Sequence, residues 1–529
     1  MKKVRTDRSR ILSFQRCARS RWYEYHQDGL GIRSARLPLP LAVGLSVHRG
    51  LESMLRDAMN LPGAVVQIPR AVEDAAVIAA LADFATHAAA LSLDTTELAA
   101  QTAGVDLVAL GDPAAMDQQS RAILDQVGRA QREYDRYLAA EQAALVEGMV
   151  RAYARRRLRP LLEQFEVLEV EREGEWKLAE WGQMNRSCAV DPNTYPENEL
   201  WFMSRPDALL RERDSNELYL LSYKTAASWD VRKARDAEHD MQGLSEGVEV
   251  ERRLAEWWSA LHPDDAVVKH RGMYEQIPQR MVDYLTPLAS PPRILAVRYE
   301  YLLKGDRWID KPLTSRLGIE VRSQRSPLVR GYLNQGMAAG DEQWNVSWDY
   351  HKEDGTTSKL YWKSWQSAPV WESMPVARWI DMLDETAMAT VADADASGQD
   401  ARELGWKSDA QTTGFLSTHP LDDVFVPPVT VFRNDDDLRD MVEQIEAQEV
   451  GVAQAVAQVD AATDEGERRH LMNVHFPMHR QKCEYPSTCA FVKLCYGGAD
   501  IRKDPLGSGQ YVVREPNHVF EKESANAKG

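Results

Sequence analysis

The stretch E-L-W-F-M-S-R-P-D-A-L-L-R (Glu199–Arg211), followed across R-D-S-N (Arg213–Asn216) by E-L-Y-L-L-S-Y-K-T (Glu217–Thr225), decides the fold. Both runs are short, apolar and aromatic, and the residues between them favour a turn, so they read as two strands of a hairpin. Upstream, F-E-V-L-E-V-E-R-E (165–173) alternates as a strand does. Downstream, D-V-R-K-A-R-D-A-E-H-D-M-Q (230–242) reads as a helix, and R-I-L-A-V-R-Y-E-Y-L-L-K (293–304) as another strand. Strands in a row followed by helices predict an α/β (α+β) core with a mixed sheet flanked by helices.

This core spans 164–310. Residues 1–60 read as two helices, one carrying Ile11, Leu12 and Phe14 towards Cys17, Trp22 and Tyr25, the other after Gly44. Residues 61–163 are rich in Ala, Leu, Gln, Glu and Arg, which predicts a helical subdomain broken at Gly111-Asp112-Pro113. Residues 311–430 are Trp-rich and irregular, an accessory region or insertion. In 431–500 a long helix (438–459) leads to a cysteine-rich segment, and 501–529 is a polar tail.

No stretch reaches the ~18 apolar residues of a membrane span, and the opening M-K-K-V-R-T-D-R-S-R has no apolar signal core. The reading is therefore a cytoplasmic protein without membrane partners, in which grouped thiols point to metal or catalysis rather than disulfides. No P-loop is present, which argues against a fused helicase or ATPase.

The formal charge of −17 argues on its face against nucleic acid, but it is unevenly spread. The first 36 residues are basic, as is R-A-Y-A-R-R-R-L-R-P (Arg151–Pro160), while acid collects between Asp381 and Glu467. A nucleic-acid protein needs a basic groove, not a basic average. Solvated helix faces are the plain alternative for each run. Trp22, Tyr23 and Tyr25 beside Arg16, Arg19 and Arg21 suit base stacking, or else packing.

Two constellations carry chemistry. Asp207 and Lys224 lie on neighbouring strands if the hairpin pairs as expected. An acid that holds Mg²⁺ or Mn²⁺ and a lysine that steadies developing charge are what phosphodiester hydrolysis needs. Surface charges at strand ends are the plain alternative. The second constellation is Cys17 with Cys483-x5-Cys489-x5-Cys495. Four thiolates suit an iron–sulfur cluster, and also Zn²⁺, for which His475 and His479 are further donors. Cys188 reads as an ordinary thiol in a polar loop.

R-P-D (Arg205–Asp207) followed by S-Y-K-T (Ser222–Thr225) resembles the PD-(D/E)XK nuclease superfamily. The surroundings resemble its RecB/AddB-like branch, which includes the CRISPR adaptation exonucleases: G-x-x-x-H at Gly44–His48 with Leu51-Glu52 after it, Cys17 before Trp22 and Tyr25, Gln242 on the helix after the lysine strand, and three cysteines at the end. The resemblance covers roughly 11–60, 164–260 and 430–500. It implies a metal-dependent DNA exonuclease of recombination, repair or mobile-element processing, and a structural [4Fe–4S] cluster on Cys17, Cys483, Cys489 and Cys495 clasping the two ends of the chain. Single-stranded DNA or duplex ends would be the substrate, and a helicase or annealing protein a partner. Asp207 and His48 would be metal ligands, Lys224 would orient the water, and Gln242 would position Lys224 or the phosphate.

The branch expects an acid two residues before the lysine, where this chain has Ser222. Some relatives with S-x-K supply the carboxylate from the following helix. Glu238 has that spacing and stands one turn before Gln242, whereas Asp240 would point away on a continuous helix. Glu171 and Glu173, before Asp207, are further candidates. The competing reading is a catalytically inactive DNA-binding or scaffold subunit that keeps the fold and the cluster.

Overall fold

The computed structural model describes residues 2–61, 68–88, 142–181, 198–262, 277–304, 425–483 and 488–515 apart from single positions, with strands at 347–351 and 357–361 and a few isolated residues. The loop around Cys188, the Gly111–Pro113 turn, most of 311–430 and the tail beyond 515 lie outside the described residues.

The elements up to residue 88 are β1 (Lys2–Asp7), α1 (Arg8–Arg16), α2 (Ala18–Tyr25), β2 (Ile32–Ser34), α3 (Leu39–Ala58) and α4 (Arg70–Ala88). A helical stretch 142–153 runs through one π turn, Ala154–Leu158, into α5 (Arg159–Gln164). Then come β3 (Phe165–Val170), β4 (Gly174–Trp181), β5 (Asn198–Ser204), β6 (Ala208–Glu212), β7 (Leu218–Ala226), α6 (Val231–Glu238), α7 (Met241–Leu261), α8 (Gln279–Leu285) and β8 (Ile294–Leu303). β9 (Ser347–His351) and β10 (Thr357–Tyr361) form a separate hairpin. The chain continues through β11 (Val429–Phe432), α9 (Asp435–Asp460), α10 (Glu465–His475), α11 (Val492–Tyr496), α12 (Ala499–Lys503) and β12 (Tyr511–Val513).

The central sheet has the order β11-β8-β7-β6-β3. It is mixed, with β7 and β8 parallel and the other pairs antiparallel. Strand alternation sorts its side chains into two cores. Leu210, Tyr219, Leu221 and Tyr223 face α3, α4 and the helix preceding β3. Leu209, Leu218, Leu220 and Val297 face α7 and α8. The result is helix, sheet, helix, in agreement with the expected α/β architecture.

Three expectations are corrected. The stretch Glu199–Arg211 is two strands in different sheets, because Pro206 interrupts the ladder: β5 joins β1 and β4 in a second sheet, β6 joins the central one. Lys2–Asp7 is a strand rather than the start of a helix. It lies parallel to β5, where Lys3 and Arg5 pair with Glu175 and the Thr6 hydroxyl donates to buried Glu449 at 2.5 Å. The second N-terminal helix starts at Leu39, so Gly44 lies inside it.

The two ends of the described chain meet. β12 pairs antiparallel with β2. Trp22 on α2 is buried against Phe476, ring centroids 5.1 Å apart, with Val452 and Val459 of α9 around it. Arg19 donates to the Phe476 and Met472 carbonyls, capping the end of α10. Arg21 and Glu449, each with a side chain 2% exposed, form an ion pair of 2.8 Å.

Candidate functional site

Three strands bring Glu171, Asp207 and Ser222 into a row at one end of the central sheet. β3 and β6 pair to Val170↔Ala208, and β6 and β7 to Ala208↔Leu221. One step further along, Asp207 stands between Glu171 and Ser222. The Glu171 N–H donates to the Asp207 carbonyl at 3.1 Å, and Glu171 adopts a left-handed φ of 49°.

Asp207 is buried, yet its charge is compensated. The Tyr223 N–H donates to Oδ2 at 2.6 Å, and His48 Nδ1 lies 3.5 Å from Oδ1. Burial alone pushes this carboxyl up; His48, the Tyr223 N–H and Lys224 outweigh burial and hold it below its ordinary range. His48 arrives from α3, and Gly44 one turn earlier is what lets α3 approach: a Cβ there would stand 2.9 Å from the Thr225 hydroxyl at the end of β7. The His48 ring meets Tyr223 edge-on, and the Tyr223 hydroxyl donates to that of Tyr153, 3.0 Å away.

Glu171 titrates in the opposite direction. Burial, then the charge of Asp207, then Glu52 push it up to about 9, against the pull of Arg205 at 2.9 Å. Two neighbouring carboxyls, one buried and one half-buried, cannot both ionise at modest cost, so one keeps its proton and the other its charge. Around them stand Arg205, Arg49 and Arg56, with side chains about half exposed, paired with Glu171 or Glu52.

Lys224, on β7 beyond Ser222, lies 3.2 Å from Asp240, not against Glu238. The continuous helix that places Glu238 inward does not exist: α6 ends at Glu238 and α7 begins at Met241. Glu238 is exposed, and Asp240, in the break, turns to Lys224 and to Arg8. Gln242 opens α7, and its side chain lies outside the described residues. Glu173 is half-buried between β3 and β4. Ser222 is 1% exposed, and its hydroxyl has no hydrogen-bond partner among the described residues.

Cys17 stands between α1 and α2, and its Sγ accepts from the His479 N–H at 3.4 Å. The Cys489 N–H donates to the Cys483 carbonyl at 2.7 Å, and Cys495 lies on α11. These thiols act on one another electrostatically. Cys495 is pushed up to about 11 by burial first and then by Cys489, Cys17 and Cys483, and Cys489 is raised by burial and by Cys17 and Cys483. Among the described residues no group of three or more His, Cys, Asp or Glu side chains is placed to hold a metal ion.

Several arginines of the basic runs are engaged within the protein. Arg151 binds Glu73, Asp74 and Glu147, and Arg155 binds Glu73, Asp381 and Asp384. Together with the buried Arg21 and the capping Arg19 they hold elements together. Trp22 and Tyr25 are buried, as the packing alternative has it. The half-exposed arginines at the rim, Arg49, Arg56 and Arg205, are scattered in sequence and form no run that marks them.

No family model matches the chain, and no curated protein matches it. Among the described residues no helix is long and apolar enough to cross a membrane.

Proposed function

We propose that this protein is a metal-dependent deoxyribonuclease whose centre is built on Asp207, Glu171, His48 and Lys224. The observation that carries this reading is a pair of adjoining carboxyls, Asp207 buried and Glu171 half-buried, at a strand-end row with a lysine beside it, one acid ionised and the other, Glu171, keeping its proton to about pH 9. Such a pair takes up a hard divalent cation in place of the shared proton. Mg²⁺ is ordinarily held by one or two carboxylates plus phosphate and water, so two protein carboxyls are enough without a third side-chain ligand. When bound, Mg²⁺ or Mn²⁺ supplies Lewis acidity at the phosphate and a water of lowered pKa.

The chain's own groups do the rest. Asp207 is oriented by the Tyr223 N–H and by His48. Glu171 supplies, from β3, the carboxylate that Ser222 lacks on β7, and replaces Glu238 in that role. Lys224 presents a positive charge to the developing phosphorane and orients the attacking water. Arg49, Arg56 and Arg205 exchange carboxylate for phosphate at the rim, which makes DNA affinity fall with salt.

Four cysteines, Cys17, Cys483, Cys489 and Cys495, are the donor number of a [4Fe–4S] cluster, and that number is what supports one here. Its binding energy would be folding energy for the joined ends of the chain. A role in recombination, repair or mobile-element processing, with an exonuclease's preference for ends, rests on resemblance alone.

The test is cleavage of end-labelled single- and double-stranded DNA with Mn²⁺ or Mg²⁺, comparing wild type with Lys224→Ala and Glu171→Gln. Loss of metal-dependent cutting by at least ~100-fold in both variants is expected, as for removal of a transition-state contact. Tight DNA binding with no cutting by the wild type would instead make the chain a binding subunit in which Ser222 marks a retired centre.

A further inference from the structure

Arg8 is far from Lys224 in sequence and belongs to the other sheet's strand–helix unit, yet both reach the same carboxylate. Asp240 Oδ2 lies 3.2 Å from Lys224 Nζ, and Asp240 Oδ1 lies 3.0 Å from Arg8 Nη2. Asp240 is the least exposed of the three side chains, at 14% against 24% for Lys224 and 33% for Arg8. The break that carries it is seated firmly. A Cβ on Gly243 would stand 2.5 Å from the Tyr299 hydroxyl, so only glycine lets α7 start this close to β8. Arg8 is fixed at its own end as the first residue of α1, whose N-cap Asp7 accepts from the Arg10 N–H at 2.9 Å.

We propose that Arg8 is a positioning residue for Lys224, acting through Asp240. A lysine on four rotatable bonds does not hold its ammonium in one place by itself. A carboxylate gripped by a guanidinium through one oxygen presents the other at a set angle, and charge-assisted hydrogen bonds are the strong ones. Lys224 is thereby aimed by the docking of β1 and α1 against the central sheet, and the lysine is set only when that unit is in place. Whatever anion Lys224 meets, it meets with a fixed donor rather than a mobile one.

The catalytic consequence rests on the nuclease reading of Lys224, so the experiment has a readout independent of it. Lysines are reductively ¹³C-methylated in the whole protein, and the Lys224 signal is assigned by its loss in Lys224→Arg. Arg8→Met and Asp240→Asn are expected to shift that signal towards the envelope of solvent-exposed lysines, with Arg8→Lys staying near wild type. In DNA cleavage, Arg8→Met is expected to lower kcat at least tenfold with KM within twofold, and Arg8→Lys to restore most of it. Where Arg8→Met does not fold, Asp240→Asn carries the test, since it preserves the shape of the site. A Lys224 signal indifferent to Arg8→Met, or to Asp240→Asn in its absence, overturns the proposal. A signal that moves as expected in a protein that cuts no DNA leaves Arg8 in its role and removes the nuclease reading.

Discussion

Glu171 shows how one residue sets the character of the site. Its left-handed backbone turns the end of β3 towards Asp207, and burial beside that charge keeps it protonated. The folded state therefore holds a proton that the unfolded chain gives up near the ordinary glutamate pKa of ~4.3. Between that value and about 9 the folded state binds more protons than the unfolded one, so stability falls as pH rises across this window. The slope from this group is at most about 1.4 kcal/mol per pH unit. Urea unfolding of the metal-free protein at pH 5, 7 and 9 should show the decline, and Glu171→Gln should flatten it. A slope unchanged by the substitution would remove Glu171 from the pair. Asp207 and Lys224 were legible in the sequence because a hairpin has fixed geometry and its turn residues are explicit. The partner of Lys224 was not. The helix breaks after Glu238 without a proline or glycine to mark it, and helical phase, carried through the break, assigns Asp240 to the wrong side.

At the scale of elements, close packing at two glycines positions the row of Glu171, Asp207 and Ser222. Gly44 admits α3 to the end of β7, and Gly243 admits α7 to Tyr299. Adding one methyl at Gly243 overpacks a site with Val297 side-chain atoms also within 3.1 Å, and should cost about 1–3 kcal/mol. Combining Gly243→Ala with Tyr299→Phe, which removes the atom met first, should recover part of that loss. Thermal unfolding of the two single variants and the double measures the coupling; strict additivity would place the strain elsewhere. Four strands of the five-stranded sheet follow from short apolar runs in the sequence, whereas its edge strand β11 falls at the border of the stretch 311–430 that reads as irregular. The three-stranded sheet does not follow in that way. Its first strand, K-K-V-R-T-D, is charged, and it is held by Glu175 and Glu449, far along the chain. Pro206 was the available sign that Glu199–Arg211 was not one strand.

At the scale of the molecule, the meeting of the chain ends separates into a protein part and a thiol part. The protein part is visible in the buried Arg21–Glu449 pair and the packing of Trp22 on Phe476. Arg21→Met leaves Glu449 buried without its guanidinium and should cost about 3–5 kcal/mol, whereas Arg21→Met with Glu449→Leu should cost less than the single change. Denaturant midpoints of the three proteins decide this, and equal losses would mean the pair is worth little. The thiol part makes a spectroscopic prediction. Protein purified without oxygen should be brown, with broad absorbance near ~400 nm that any one of Cys17→Ser, Cys483→Ser, Cys489→Ser or Cys495→Ser abolishes. Colourless protein carrying stoichiometric zinc would replace the cluster with a Zn²⁺ clasp.

The pairing of β2 with β12 also sets a timetable for biosynthesis. Residues 32–34 wait for residues 511–513, so β2 leaves the ribosome long before its partner is made. At ~5–20 residues per second the interval is roughly 25 to 100 s. During it the N-terminal strand lacks its partner and is open to chaperones or to a neighbouring nascent chain. A ribosome stalled between β8 and β12 holds a chain whose central sheet is encoded up to β8 but whose β2 has nothing to close upon.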